Sequence, residues 1–310
     1  MKTIPGKIVA TLFVLFTLGA CSQPEEMDSL VDVEWLKAHI NDPDLVILDA
    51  SVTVQPDPDT GYRLINGSIA FEEGHIPGAA FADLMGDLSD PDSDLQFAVP
   101  APEQFAAAMG ALGVGDDTRV VIYDTSAQQW AARVWWMLRW IGFDNVALLD
   151  GGLNAWQAAG GELESGQASP TTRSLSVNLR PDLIVERDEM RAAVGNDDIS
   201  IIDSLSEAQY RGDIQMYARP GHIPGASNVP SMSAVGEDGR FKSQQELDAM
   251  FEGDRNQRAI TYCGGGIAAS SNAFVMHRLG FTDIAVYTAS LQEWAVDPEN
   301  PMVVSPQAEE

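Results

Sequence analysis

Two spacings of apolar residues alternate along the chain. Compact aliphatic and aromatic runs at 45–50 (LVILDA), 119–123 (RVVIY) and 146–149 (VALL) have the length and composition of buried strands. Between them, residues 31–40, 102–112 and 126–142 carry apolar side chains at three- and four-residue intervals. This predicts helices, the second closed by Gly113 and the third by Gly142. A short helix is expected at DGGLNAW (150–156). Residues 52–69, rich in Pro, Asp and Gly, predict a loop, and residues 162–180, rich in Ser, Gly, Thr and Pro, predict a linker.

Beyond residue 180 the same order returns. ERDEMRAAV (186–194) predicts a helix, ISIID (199–203) a strand, SQQELDAMF (243–251) a helix and AITY (259–262) a strand. A helix over 268–279 closed by Gly280, a strand IAVY (284–287) and the segment ASLQEW (289–294) complete the series. GHIPGA occurs at 74–79 and again at 221–226, and Tyr123, Gly142 and Trp156 pair with Tyr262, Gly280 and Trp294 at nearly constant offset. This is an internal duplication. It divides the chain into domains at 30–161 and 181–303, joined by the linker 162–180 and followed by a tail at 304–310. Strands alternating with helices predict an α/β fold, each half a parallel sheet with helices on both faces. Ligands of such sheets bind beyond the carboxyl ends of the strands. Cys263 and Asp124 each stand one residue past such an end.

With 310 residues and 45% apolar content, the chain has material for two ordinary cores. Its net charge of −28 repels phosphate backbones and excludes nucleic acid as a partner. Lys2 and Lys7 flank the start of an apolar run at 8–18, too short to span a membrane, which predicts an export leader at 1–20. Its LGAC end resembles the bacterial lipobox, in which Cys21 is acylated. Residues 21–29 are then an acidic tether, and the protein is expected in the bacterial cell envelope, lipid-anchored to a membrane on the periplasmic or outer-membrane side. The alternative is a plain signal peptide cut nearby. Once Cys21 is lipidated, Cys263 is the single thiol left, and an exported protein that keeps one unpaired cysteine has a use for it.

The chemistry centres on AITYCGGGIAASSNAFVMHRLG (259–280). Three glycines let backbone N–H groups turn toward one point, and a helix N-terminus follows. Both favour negative charge on the Cys263 sulfur, and the thiolate is the nucleophile. The run, Gly265 included, predicts positive φ. TSAQQ after Asp124 lacks glycines, which predicts that the first half builds no such cradle. Asp124 stands where the second half has its thiol, so the first half is expected to be catalytically silent.

CGGGIAA (263–269) resembles the C-G-[ST]-G-V-T-A loop of the rhodanese-like sulfurtransferases, with Gly265 in place of Ser or Thr and Ala268 in place of Thr. WWMLRWIGFDNVALLDGGLNAW (135–156) is similar to the silent-domain signature of the two-domain thiosulfate and 3-mercaptopyruvate members. The resemblance implies two tandem rhodanese-like domains and sulfur transfer through a Cys263 persulfide, from a small sulfur donor to a thiol or cyanide acceptor, with no external cofactor. It implies that Gly264, Gly265, Gly266, Ile267 and Ala268 bind the transferred group. Arg219 falls near one of the positions at which relatives carry substrate-binding arginines; Gln209 takes the other, and Arg211 lies on the same loop. His75 is a candidate for supporting proton transfer, although the turn chemistry of both GHIPGA motifs argues for a structural histidine. Asp203 and Asp49, at strand ends, are expected to hold loops, with Asp203 a possible support to the site. Trp135, Trp136, Trp140 and Trp156 read as packing.

Two rivals differ in class. A cysteine phosphatase needs an arginine six residues after the cysteine, where this chain has Ala269. A non-enzymatic sulfur carrier or binding module of the envelope is distinguished by turnover with a small acceptor. No phosphate-loop or metal-ligand spacing occurs.

Overall fold

The computed structural model describes residues 27–58 and 61–305; the leader and Cys21 lie outside them. Twelve strands are present among the described residues: β1 (Leu30–Val31), β2 (Leu45–Asp49), β3 (Val52–Asp57), β4 (Gly61–Asn66), β5 (Ala80–Phe81), β6 (Arg119–Tyr123) and β7 (Val146–Leu149) in the first half, and β8 (Ile184–Val185), β9 (Ile199–Asp203), β10 (Ser227–Asn228), β11 (Arg258–Tyr262) and β12 (Ile284–Tyr287) in the second. The first sheet has the order β1-β7-β6-β2-β5 and the second β8-β12-β11-β9-β10, the same topology twice. Every pairing within these two sheets is parallel. In each, the central strand pairs on both sides, β6 with β2 and β7, β11 with β9 and β12. That strand is buried on both faces, which is why RVVIY and AITY carry no charged side chain past Arg119 at the strand's start.

One expectation fails. Residues 52–69 are not a loop: β3 and β4 form an antiparallel hairpin, with Val54 opposite Leu64 and Val52 opposite Asn66. The Pro, Asp and Gly residues hid the alternation V-T-V and Y-R-L-I, because Pro56 and Asp57 lie at a strand end, where a missing donor is tolerated.

The two halves share a core. Leu48, Val120, Val134 and Trp135 of the first belong to the same buried apolar cluster as Val229, Ala273 and Phe274 of the second, while the outer face of each sheet has its own cluster. At the seam the helices Gln129–Trp140 and Ile267–Arg278 pack together, the Trp135 ring meeting Phe274 edge-on at 4.9 Å. The linker is tied to the first half by backbone hydrogen bonds, Asn178 N–H to the Ile141 carbonyl and Arg180 N–H to the Trp140 carbonyl, both 2.8 Å. This fastening lets the seam helices keep one relative position, and so fixes what each half presents to the other.

Candidate active site

β11 ends at Tyr262, the helix Ile267–Arg278 begins five residues further on, and Cys263 lies in the bend between them, 2% exposed. Gly266 takes φ 82°, the left-handed conformation that favours glycine, and its N–H donates to Cys263 Sγ at 3.1 Å. A β carbon there would lie 2.7 Å from the Thr288 carbonyl oxygen and 2.8 Å from Arg133 Nη1. Gly264 is required for another reason: the Tyr217 hydroxyl occupies the space a β carbon would need. Gly265 is not in the left-handed region, contrary to the expectation for the whole run, and a β carbon there would press on the end of the Gln292 side chain at 3.0 Å and make ordinary contact with the Gln96 carbonyl at 3.5 Å. From behind, the Cys263 N–H donates to Ser290 Oγ at 3.0 Å, and that hydroxyl donates to the Tyr287 carbonyl at 2.6 Å.

The sulfur faces a cavity of about 260 Å³ between the halves. Cys263, Gly264, Gly265, Ile267 and Ala268 line it from the second half together with Tyr217, Leu205 and Gln292. Phe97, Trp130 and the hairpin residues Val54, Tyr62 and Leu64 line it from the first. Gln292 closes one side by a two-way amide contact, accepting from Gln96 N–H at 3.1 Å and donating to the Gln96 carbonyl at 2.9 Å. Among the described residues, no charged side chain lines this cavity.

The first half repeats the loop with a different occupant. Asp124 is buried; Oδ1 accepts from the N–H groups of Ser126 (2.8 Å) and Gln128 (3.1 Å), and Oδ2 from those of Trp130 and Ala131, both 3.0 Å. The expectation that TSAQQ builds no cradle is therefore wrong. Gln128 adopts φ 60° where the second half has Gly266, and the four hydrogen bonds to the carboxyl group offset the cost of that conformation in a residue other than glycine. By this correspondence Trp130 and Ala131 match Ala268 and Ala269.

Four other candidates lie away from the sulfur, and their surroundings explain why. Arg219 is absent from the cavity lining: its guanidinium donates to the carbonyls of Trp294, Ala295, Asp297 and Asn300 and so clamps the C-terminal segment. Arg211 is paired with Asp213 at 2.9 Å and Glu207 at 3.2 Å. His75 is buried and stacked on Phe71 at 3.9 Å with Nδ1 2.7 Å from the Phe71 carbonyl, and His222 makes the same arrangement with Tyr210. Asp203 accepts the Leu205 N–H at 2.8 Å, and burial pushes its carboxyl up to about 6; Asp49 accepts the Ser51 N–H in the same way.

The cation at the site comes from an unexpected place. Arg133, from the helix Gln129–Trp140 of the first half, is 1% exposed and reaches under the Cys263 loop. Nη2 donates to the Phe97 carbonyl at 2.8 Å, while Nε and Nη1 have no hydrogen-bond partner. Burial holds its guanidinium down to about 10, opposed by the nearby Cys263 sulfur, so it keeps its charge at neutral pH. A charged residue inside the apolar run WAARVWWM was the signal in the sequence. Ser290 and Tyr217 had none.

A model of the rhodanese-like domain matches residues 32–159 and again 186–297. The chain belongs to the two-domain sulfurtransferases of the rhodanese-like family. It is 34% identical over 280 residues to the 3-mercaptopyruvate sulfurtransferase of Escherichia coli strain K12, covering 88% of this chain and 96% of the relative. It is 32% identical over 305 residues to thiosulfate/3-mercaptopyruvate sulfurtransferase 2 of Arabidopsis thaliana, covering 90% and 87%. The crystal structure of the Escherichia coli enzyme SseA superposes with a TM-score of 0.76 at 34% identity, covering 84% of this chain and 98% of that one.

Proposed function

We propose that this sulfurtransferase moves a sulfane sulfur from 3-mercaptopyruvate or thiosulfate to a thiol or cyanide acceptor through a persulfide on Cys263. In the first half-reaction the Cys263 thiolate attacks the outer sulfur of thiosulfate, or the sulfur of 3-mercaptopyruvate, and the rest of the donor leaves with the electron pair of the broken bond. In the second, the acceptor attacks the outer sulfur of the persulfide and the Cys263 thiolate is released. The observation that carries this reading is the Gly266 N–H on Cys263 Sγ at the head of a 12-residue helix, open to the interdomain cavity. Asp124 supports it from inside the molecule. Its carboxyl oxygen stands one bond beyond the position of Sγ and accepts two amides, so an outer persulfide sulfur would meet the corresponding N–H groups of Ala268 and Ala269.

The uncharged lining favours the singly charged organic donor over dianionic thiosulfate, since the second charge of thiosulfate would give up hydration to a cavity wall that offers no cationic side chain. The leader and Cys21 support a lipid-anchored envelope location. The deciding experiment incubates the purified mature protein with each donor, then reads intact mass and release of pyruvate or sulfite. Addition of one sulfur atom to Cys263, removed by cyanide or a thiol with turnover, is expected. A protein that loads sulfur and never turns over would be a carrier, and one that never loads would overturn the reading.

A further inference from the structure

We propose that the Tyr217 hydroxyl is the proton donor to the carbon leaving group of a keto-acid sulfur donor. This rests on the sulfurtransferase reading and assigns the one step the thiolate cannot perform. When the Cys263 thiolate attacks the sulfur of 3-mercaptopyruvate, an S–S bond forms and the C–S bond breaks. The electron pair leaves on carbon as the enolate of pyruvate, which is strongly basic and becomes pyruvate only on gaining a proton. Thiosulfate differs: its S–S bond breaks to release sulfite, which needs no proton to leave.

The cavity holds few groups able to supply that proton. Its lining among the described residues contains no Asp, Glu, His, Lys, Arg, Ser or Thr, and the loop after Cys263 is Gly-Gly-Gly-Ile-Ala, without a hydroxyl. The remaining O–H and S–H groups are those of Cys263, which is the nucleophile, Tyr62 and Tyr217. Tyr62 stands on the hairpin and is 42% exposed. The Tyr217 hydroxyl instead packs directly on Gly264, beside the sulfur, and donates to no described residue. Gly264 makes room for it, since any side chain there would displace it. Burial and the neighbouring Cys263 charge both push the phenol far above its ordinary range, so it stays protonated at neutral pH. A weak acid of this kind donates only to a strong base, which is what the departing enolate is. Water returns the proton to the phenolate after product leaves.

Tyr217→Phe removes the hydroxyl and keeps the ring. In single turnover, Cys263 persulfide formation and pyruvate release from 3-mercaptopyruvate are expected to fall about a hundredfold or more. Loading from thiosulfate or benzenethiosulfonate, whose leaving groups need no proton, is expected to stay within about threefold, as is iodoacetamide alkylation of Cys263. Equal losses with both kinds of donor would reduce Tyr217 to a packing role, and an unchanged mercaptopyruvate rate would remove it from the step; either result overturns the proposal. If circular dichroism shows the variant unfolded, 3-fluorotyrosine placed at position 217 decides instead. A changed rate with mercaptopyruvate alone supports the proposal, and equal or absent changes overturn it. Wild-type protein that gains no sulfur from any donor would overturn the sulfurtransferase reading, and this step with it.

Discussion

Replacing Arg133 by methionine keeps an unbranched apolar stem and removes the guanidinium with its charge. Nη1 lies 2.8 Å from the β-carbon position of Gly266, and the Gly266 nitrogen is 3.1 Å from Cys263 Sγ. Adding the roughly 2.5 Å that separates an amide nitrogen from the β carbon of its own residue puts the charge within roughly 8 Å of the sulfur. At an effective dielectric near ~20 the attraction to a negatively charged sulfur is then about 2 kcal/mol, or about thirtyfold in the rate of a reaction that passes through the thiolate. Stability responds differently. Removing a buried cation with two unpartnered nitrogens stabilises the fold by about 1–4 kcal/mol. Losing the charged hydrogen bond to the Phe97 carbonyl costs about 1.5–3 kcal/mol. These nearly cancel, so Arg133→Met is expected to unfold close to the wild-type temperature while Cys263 alkylates more slowly at neutral pH, by about thirtyfold. Iodoacetamide kinetics across a pH series, alongside thermal unfolding, measure both, and Arg133→Lys should recover part of the rate. A folded methionine variant with an unchanged alkylation profile would refute the reasoning.

Gly266→Ala is expected to slow persulfide formation by about tenfold or more, because the left-handed φ is strained for alanine and the β carbon meets the Thr288 carbonyl. Gly265→Ser should fold and load sulfur normally, its β carbon pressing only on a flexible amide; a collapse of activity there would refute the assignment of φ along the loop. Asp203 carries its carboxyl up at about 6 against an ordinary 3.8, so the folded state binds the extra proton and stability is lost as pH rises between these values. Asp203→Asn should remove that slope, as urea unfolding at several pH values would show. Cys21→Ser should release the protein from membranes or block its processing in cell fractionation; a mature N-terminus cut elsewhere and unmodified would refute the lipid anchor.

The doubly repeated order of strands and helices, with its paired GHIPGA motifs, was legible because each half is built from local periodicities that burial imposes on every strand and helix. Cys263 was legible for a similar reason: a cysteine between a strand and three glycines is a local pattern. The hairpin of β3 and β4 was not, since proline and aspartate near its turn outweighed a short alternation. Arg133, Tyr217 and Ser290 act on the loop from 130, 46 and 27 residues away in sequence, and no spacing in the chain records such contacts. Arg219 misled because proximity to a motif says nothing of where a guanidinium points, and here it points at backbone carbonyls.

Asp124 gives the first half a ligand that never leaves, since its carboxyl oxygens are covalently part of the chain and hold four amides together. In the second half the matching amides at the head of the helix Ile267–Arg278 receive whatever Cys263 is carrying. On the proposed persulfide mechanism the transferred sulfur is a detachable helix cap, gained and lost once per cycle. On that mechanism the protein joins a permanently capped half to an intermittently capped one.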